Sequence, residues 1–357
     1  MSTYIIAEAG VNHNGSLDIA KKLVKVAKEA GADVVKFQTA KLENLVTKNA
    51  QQANYQIENL GEQTSQYEML KKLQLSYDDF AQIKNYCNEL KIEFLSTPFD
   101  FESVVFLLDT LNLDKLKIPS GELTNLPFLH YIATRQKPII LSTGMATIDE
   151  IHEALSFIAF GLAYPTENVF PEKVKSFYKT EKSKETLQHF VTLLHCTTEY
   201  PAPFETINLN AMKTMGREFE LPIGFSDHSQ GISAAIGAVA MGAVVIEKHF
   251  TLDRNLEGPD HLASLEPGEL KNMVQGIREI EIAMGDGMKQ PTEIELKNKI
   301  AARKSLVANE KINIGEKFTS ENIAMKRPGD GISPSEYWSY IGKTAEKKYE
   351  IDDLIDE

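Results

Sequence analysis

Residues 223–250 read Ile223-Gly224-Phe225-Ser226-Asp227-His228, then Ser229 to Gly242, then Ala243-Val244-Val245-Ile246-Glu247-Lys248-His249-Phe250. The apolar, β-rich runs Ile223–Ser226 and Ala243–Lys248 predict two strands. Between them the small apolar residues of Ile232–Met241 predict a helix. That is one parallel βαβ unit, and both strands end in ionisable groups.

The same alternation extends outward in both directions. Strands are predicted at Tyr4–Glu8, Ala32–Gln38, Ile92–Ser96, Lys115–Ile118, Pro138–Ser142 and Val191–Cys196. Ser16 is placed to cap a helix running to Ala30, where Gly31 stops it. Further helices are predicted over Ser76–Leu90, Ile148–Phe160 and Glu269–Met284. Eight strand–helix repeats point to a closed parallel α/β barrel, with a doubly wound open sheet as the alternative. Two stretches break the rhythm. Residues 42–68 are rich in Asn and Gln and read as a long loop of the lid or binding kind. Residues 163–187 read as a charged insertion on the helix side with a short extra helix. After Gly287 the character changes again. The expected division is a barrel over 1–287, a linker over 288–300 and a small domain of short strands over 301–357. A module of that size has a marginal core, so it should pack on its own barrel or a partner's.

The chain has 357 residues, 42% hydrophobic and 25% charged, within the globular range. The longest uncharged apolar run, Ala234–Ile246, is short of the ~20 residues that a bilayer requires. The first residues show no basic leader, and two cysteines make no disulfide framework, so a cytoplasmic setting is expected. A net charge of −13 argues against nucleic acid as a partner, and no membrane partner is expected. An anionic ligand would have to be met by a local basic pocket.

In a parallel barrel, chemistry collects where strands end. The residues there are Glu8, Asn12 and His13; Lys36 and Gln38; Ser96 and Thr97; Lys117, Ser120 and Glu122; Ser142 and Thr143; His195, Thr198 and Tyr200; Ser226, Asp227 and His228; and Glu247, Lys248 and His249. Lys36 and Lys117 follow apolar residues. A buried ammonium needs an anion, either a ligand or an internal carboxylate such as Glu8 or Glu122. The neighbouring hydroxyls suit phosphate and carboxylate oxygens. His228 and His249 end neighbouring strands and can share a divalent ion such as Mn, Zn, Co or Fe, or can simply hydrogen-bond. His130, His152 and His189 read as packing or surface residues. Cys196 reads as a small core residue. Asp260, in Gly258-Pro259-Asp260-His261, is either a sugar-hydroxyl partner or a plain turn residue.

Taken in order, Ile6-Ala7-Glu8-Ala9-Gly10-Val11-Asn12-His13-Asn14-Gly15, Val35-Lys36-Phe37-Gln38-Thr39, Ser96-Thr97-Pro98-Phe99, Lys117-Ile118-Pro119-Ser120-Gly121-Glu122, Leu141-Ser142-Thr143-Gly144-Met145, Glu199-Tyr200-Pro201, Ser226-Asp227-His228 and Gly258-Pro259-Asp260-His261 resemble the bacterial sialic acid synthases. The legionaminic acid synthases are very similar. The tail around Lys326-Arg327-Pro328-Gly329-Asp330-Gly331-Ile332 resembles their antifreeze-like (SAF, β-clip) domain.

The resemblance implies a (β/α)8 TIM barrel followed by that small domain, in a domain-swapped homodimer. It implies condensation of phosphoenolpyruvate with an N-acetylated amino sugar, N-acetylmannosamine for an N-acetylneuraminate synthase, with release of phosphate. Lys36, Thr97, Lys117, Ser120, Ser142 and Ser226 would hold phosphoenolpyruvate. His228 and His249 would hold the metal, expected to be Mn2+ with Mg2+ or Co2+ as alternatives. Glu8, Gln38, Tyr200 and Asp260 would meet the sugar, and Arg327 would reach its N-acetyl end in the partner's site. Some relatives carry Asn at the position of Thr198, which leaves that contact open. Glu8 is expected to serve the reacting carbon or its water, and Glu122 to hold a lysine. The rivals are an acceptor of the 2,4-diacetamido-trideoxyhexose type, a phosphorylated acceptor, which would need a second basic cluster, and a non-catalytic carbohydrate- or ice-binding protein.

Overall fold

The computed structural model describes residues 2–61 and 63–356, and Glu58 by its backbone alone. The chain divides into two compact units, Met1–Gly285 and Asp286–Glu357.

The first unit carries β1 (Tyr4–Gly10), β2 (Val34–Thr39), β3 (Glu93–Pro98), β4 (Leu116–Ile118), β5 (Ile139–Ser142), β6 (Val191–Cys196), β7 (Ile223–Asp227) and β8 (Val245–His249). They form one parallel sheet in the order β3-β2-β1-β8-β7-β6-β5-β4. The first strand pairs with both the second and the last, so the sheet is a TIM barrel and not an open doubly wound layer. Its seam is between β3 and β4, which lie side by side without a ladder.

The period of two along each strand sorts the side chains. Ile6, Val34, Leu95, Ile140, Leu194 and Val245 pack together as an apolar plug inside the barrel. Ile5, Ala7, Val35 and Phe37 point the other way, into the layer shared with the helices. Two residues past each plug residue stand Glu8, Lys36, Thr97, Ser142, Cys196 and Glu247, all lining one cavity. The apolar plug therefore forms the floor of a polar chamber.

The helix Leu17–Ala30 starts where the Ser16 side chain accepts from the Ile19 N–H, and ends at Gly31, whose φ of 84° suits glycine. Residues 42–68 differ from the expected loop. Leu42–Leu45, Asn54–Leu60 and the start of Gln66–Leu73 are helical. The last of these is capped by Ser65, which accepts from the Glu68 N–H, and is anchored by buried Met69. The insertion at 163–187 holds most of two helices, Pro171–Tyr178 and Glu181–Phe190, where one short helix was expected. Val174, Phe177 and Leu187 bury their side chains in the main core and tie these helices down.

In the second unit, much of the expected linker is the helix Glu293–Ala302, with a Thr292–Glu295 capping box. Beyond it, β9 (Ser305–Ala308) and β10 (Ile323–Lys326) pair antiparallel over a core that includes Leu306, Ile312, Phe318 and Tyr349. Lys311–Glu316 makes an isolated bridge at Ile312 followed by a turn. No helix among the described residues is long and apolar enough to cross a membrane.

Candidate active site

The innermost part of the barrel mouth is a cavity of about 60 Å³. Lys36 from β2 and Lys117 from β4 enter it from different strands, each below 5% exposed. Lys36 Nζ lies 2.9 Å from Glu8 and 3.4 Å from Glu247. Lys117 Nζ lies 3.6 Å from Glu247 and donates to Ser142 Oγ at 2.7 Å. Lys36 also donates to Thr97 Oγ1 at 3.0 Å. Two cations and two carboxylates face one another in a buried space.

The balance is uneven, and the titration of each group follows. Burial raises the Glu8 carboxyl to about 7, even against the opposing pull of Lys36. Burial also works against the charge on Glu247, but Lys117 and Lys36 outweigh it and hold this carboxyl down at about 2. Burial opposes the charge on Lys36 too, yet its two carboxylate neighbours raise its affinity for the proton. Lys117 has one such neighbour, so for it burial wins and the proton is held less tightly.

His228 and His249 close the same cavity, with ring centroids 5.7 Å apart. His228 Nδ1 lies 2.6 Å from the Thr197 carbonyl, which calls for an N–H there and directs the lone pair of Nε2 toward the cavity. His249 Nδ1 is buried with no hydrogen-bond partner among the described residues. Burial lowers His228 to about 4, and burial together with His228 pushes His249 well below its ordinary range. Two neutral imidazoles, one with an orphaned nitrogen, fit a divalent metal. Among the described residues no group of three or more His, Cys, Asp and Glu could hold one, so remaining positions would fall to water or substrate oxygens.

The other predicted residues divide. Ser120, Ser142, Ser226, Tyr200 and Gln38 line the cavity. Ser226 Oγ donates to Glu247 at 2.8 Å, and Gln38 Nε2 donates to Glu8 at 3.3 Å. The Tyr200 ring packs at a tilt against His228 and Tyr55, with centroids 4.2 Å and 5.1 Å away. The Thr198 hydroxyl lies 3.4 Å from that of Ser120. Both crowd Gly144, where a Cβ would meet Thr198 Oγ1 at 2.3 Å. Asp260 is buried, raised by that burial to about 6, and its charge is felt by Tyr55 and Tyr200. Arg327 belongs to the second unit, where its Nε donates to the Ala302 carbonyl at 3.2 Å.

Glu122 is the correction. It sits in a short 3-10 turn after β4 and accepts from Asn125 Nδ2 at 2.7 Å; among the described residues it holds no lysine. The carboxylate that holds both lysines is Glu247. It was visible as a strand-end residue, and the spacing Val245-Glu247-His249 places it on the face of the predicted metal ligand. His195 and Ser96 face away from the cavity: His195 Nε2 lies 2.6 Å from the Ile207 carbonyl, and Ser96 Oγ 2.7 Å from Thr39 Oγ1. On the outer face of β7 and β8, Asp227 and Lys248 form a fully buried pair at 2.9 Å. Asp227 also accepts from the Ser229 N–H and hydroxyl, and Lys248 donates to the Ser229 carbonyl. These bonds fix the backbone on either side of His228.

Known proteins are similar to this chain along most of its length. The chain is 48% identical to the N,N'-diacetyllegionaminic acid synthase of Campylobacter jejuni, over 99% of both chains. It is 46% identical to the enzyme of that name from Legionella pneumophila, over 96% of this chain and 90% of the other. A crystal structure of N-acetylneuraminic acid synthetase from Leptospira borgpetersenii, in complex with citrate, matches with a TM-score of 0.66 at 32% identity, covering 84% of this chain and 90% of that one. Residues 303–356 match the SAF domain. Residues 23–289 match the NeuB family, and with relatives this similar along its whole length the chain belongs to that family.

Proposed function

We propose that the protein is a nonulosonic acid synthase that condenses phosphoenolpyruvate with a 2,4-diacetamido-trideoxyhexose, giving N,N'-diacetyllegionaminic acid and phosphate. The convergence of Lys36, Lys117, His228 and His249 on one cavity carries the reading, because paired ammoniums and neutral imidazoles suit an enol phosphate beside an aldehyde. The relatives favour this acceptor. The N-acetylmannosamine expected from sequence resemblance gives way, since the diacetyllegionaminic acid synthases are 48% and 46% identical and the sialic acid enzyme only 32%.

Lys36 and Lys117, with Thr97, Ser120, Ser142 and Ser226, bind the phosphate and carboxylate of phosphoenolpyruvate. His228 and His249 would hold a divalent ion, taken to be Mn2+, which supplies Lewis acidity at the sugar aldehyde. Carbon 3 of phosphoenolpyruvate bonds to the aldehyde carbon, the aldehyde π electrons pass to its oxygen, which takes up a proton to become a hydroxyl, and carbon 2 becomes cationic. Water adds at carbon 2 and gives one proton to Glu8; the remaining hydroxyl then loses its proton to the departing phosphate as the C–O bond breaks, leaving the ketone. A carboxyl held near 7 suits that proton transfer at neutral pH. Gln38, Tyr200 and Asp260 orient the sugar. Arg327 is assigned to the acylamino end of the sugar in the partner subunit's site of a domain-swapped homodimer. The reading places the protein in the cytoplasm, in keeping with free Cys87 and Cys196. Phosphate release is the test, measured with phosphoenolpyruvate, Mn2+ and several acceptors side by side. Release with the diacetamido sugar supports the proposal; release with N-acetylmannosamine alone returns the acceptor to the neuraminate type.

A further inference from the structure

A second cavity, of about 280 Å³, opens beside the catalytic one and shares Gln38 and Phe99 with it. Its walls come partly from residues 42–68, which the sequence presents as a loop, and partly from the residues just after them and from strand ends. Leu45, Leu70 and Leu73 supply apolar surface, and Gln56, Gln66 and Gln74 supply side-chain amides. His13 and Tyr55 complete the polar lining. No Asp, Glu, Lys or Arg lines it among the described residues. His13 is neutral at pH 7, since burial lowers it to about 4. The contrast with the neighbouring chamber is complete: one holds four formal charges and the other none.

Such a lining selects chemistry. Glutamine amides both donate and accept, which matches the N–H and carbonyl of an acylamino group. Leucine side chains gain by covering methyl groups. A phosphate or carboxylate would find no cation to pair with. At about 30 Å³ per water, the space exceeds the handful of heavy atoms in an acetamido group and a methyl. Gln38 joins the two chambers, because its amide lines the outer one and donates to Glu8 in the inner one at 3.3 Å.

We infer that this outer cavity is the subsite for the non-reacting end of the acceptor, built to hold an uncharged acylamino group together with the terminal methyl of a deoxy sugar. The inference rests on the proposed synthase activity and adds the residues that select the acceptor. Gln66 and Leu70, on one face of the helix Gln66–Leu73, are the specificity-determining pair.

The test uses the full-length protein with Mn2+ and phosphoenolpyruvate, and reads kcat/KM by phosphate release for the diacetamido-trideoxyhexose and for N-acetylmannosamine. The wild type should prefer the diacetamido sugar by about tenfold or more. Leu70→Trp fills the cavity and should lower that preference about 30-fold. Gln66→Glu puts a carboxylate into the wall at a helix N-terminus that tolerates it, and should lower the preference about tenfold. It decides the matter alone if the tryptophan variant does not fold. An unchanged preference in a folded variant overturns the subsite. A wild type that turns over only N-acetylmannosamine also overturns it and leaves the synthase chemistry standing. Absence of phosphate release with both sugars removes the synthase reading, and this inference with it.

Discussion

The Glu8 carboxylate stands 2.9 Å from the Lys36 ammonium, and both groups are buried. A lone pair at this depth would be a poor source of stability, because desolvation offsets attraction. Here Glu247 supports the same ammonium from a second direction. Glu8 is thereby left free to exchange a proton without stranding Lys36. Glu8→Gln should lower turnover by about 100-fold or more, the scale of a lost acid–base group. Phosphoenolpyruvate affinity, measured by titration calorimetry, should stay within about threefold. Retained turnover would remove Glu8 from the chemistry.

Glu247 has the opposite profile. Glu247→Gln leaves two buried ammoniums facing one carboxylate. Urea unfolding should show a loss of about 3–5 kcal/mol, the scale of a broken buried pair. Added phosphoenolpyruvate should restore part of it, since the ligand binds only the folded state and brings the missing negative charge. An unchanged midpoint would mean that the lysines find another partner.

Chelation should abolish phosphate release in the wild type, and Mn2+ should restore it. In His228→Ala and His249→Ala, Mn2+ should fail to restore it, and Mn2+ affinity followed by its spin resonance should fall at least about tenfold. Full restoration in both variants would place the ion elsewhere.

His13 carries a pH signature. Its folded pKa of about 4 lies below the ordinary 6.5, so the folded state disfavours the protonated ring. The associated stability is fully present above pH 6.5 and is lost as the pH falls toward 4. The wild type should therefore lose about 3 kcal/mol more than His13→Gln over that window. Melting temperatures from pH 7 to 4 for both proteins measure the difference. Parallel curves would show that His13 does not contribute.

The first unit has its own core, so residues 1–285 alone should unfold cooperatively. Without Arg327 their phosphate release should fall about 100-fold or more. A fully active truncated monomer would contradict the swapped arrangement.

The barrel was readable because its strands obey one period. Val34-Lys36-Gln38 and Val245-Glu247-His249 each move from plug to chamber in two-residue steps, so a polar residue after an apolar run marked the mouth. The helices within 42–68 were hidden by composition. Asn and Gln resemble loop residues when counted, yet here glutamine amides face a cavity. The local signal was Ser65 followed three residues later by Glu68, a helix start. Glu122 misled for a different reason. It lies just past a strand end, but a 3-10 turn intervenes and rotates it outward, and the strand period no longer applies. The imidazole pair was readable as two histidines at neighbouring strand ends; the orphaned nitrogen of His249 needed coordinates.

The outer pair Asp227–Lys248 also bears on how the cylinder closes. Consecutive residues of β8 carry opposite signs to opposite faces: Glu247 toward the axis, Lys248 toward the helices. Sliding β8 along β1 by a single residue would bring Lys248 between Lys36 and Lys117, three like charges facing the single carboxylate of Glu8, and would expel Glu247 from the chamber. The charged groups of the chamber therefore also proofread assembly, admitting one alignment of the first and last staves and rejecting its neighbours.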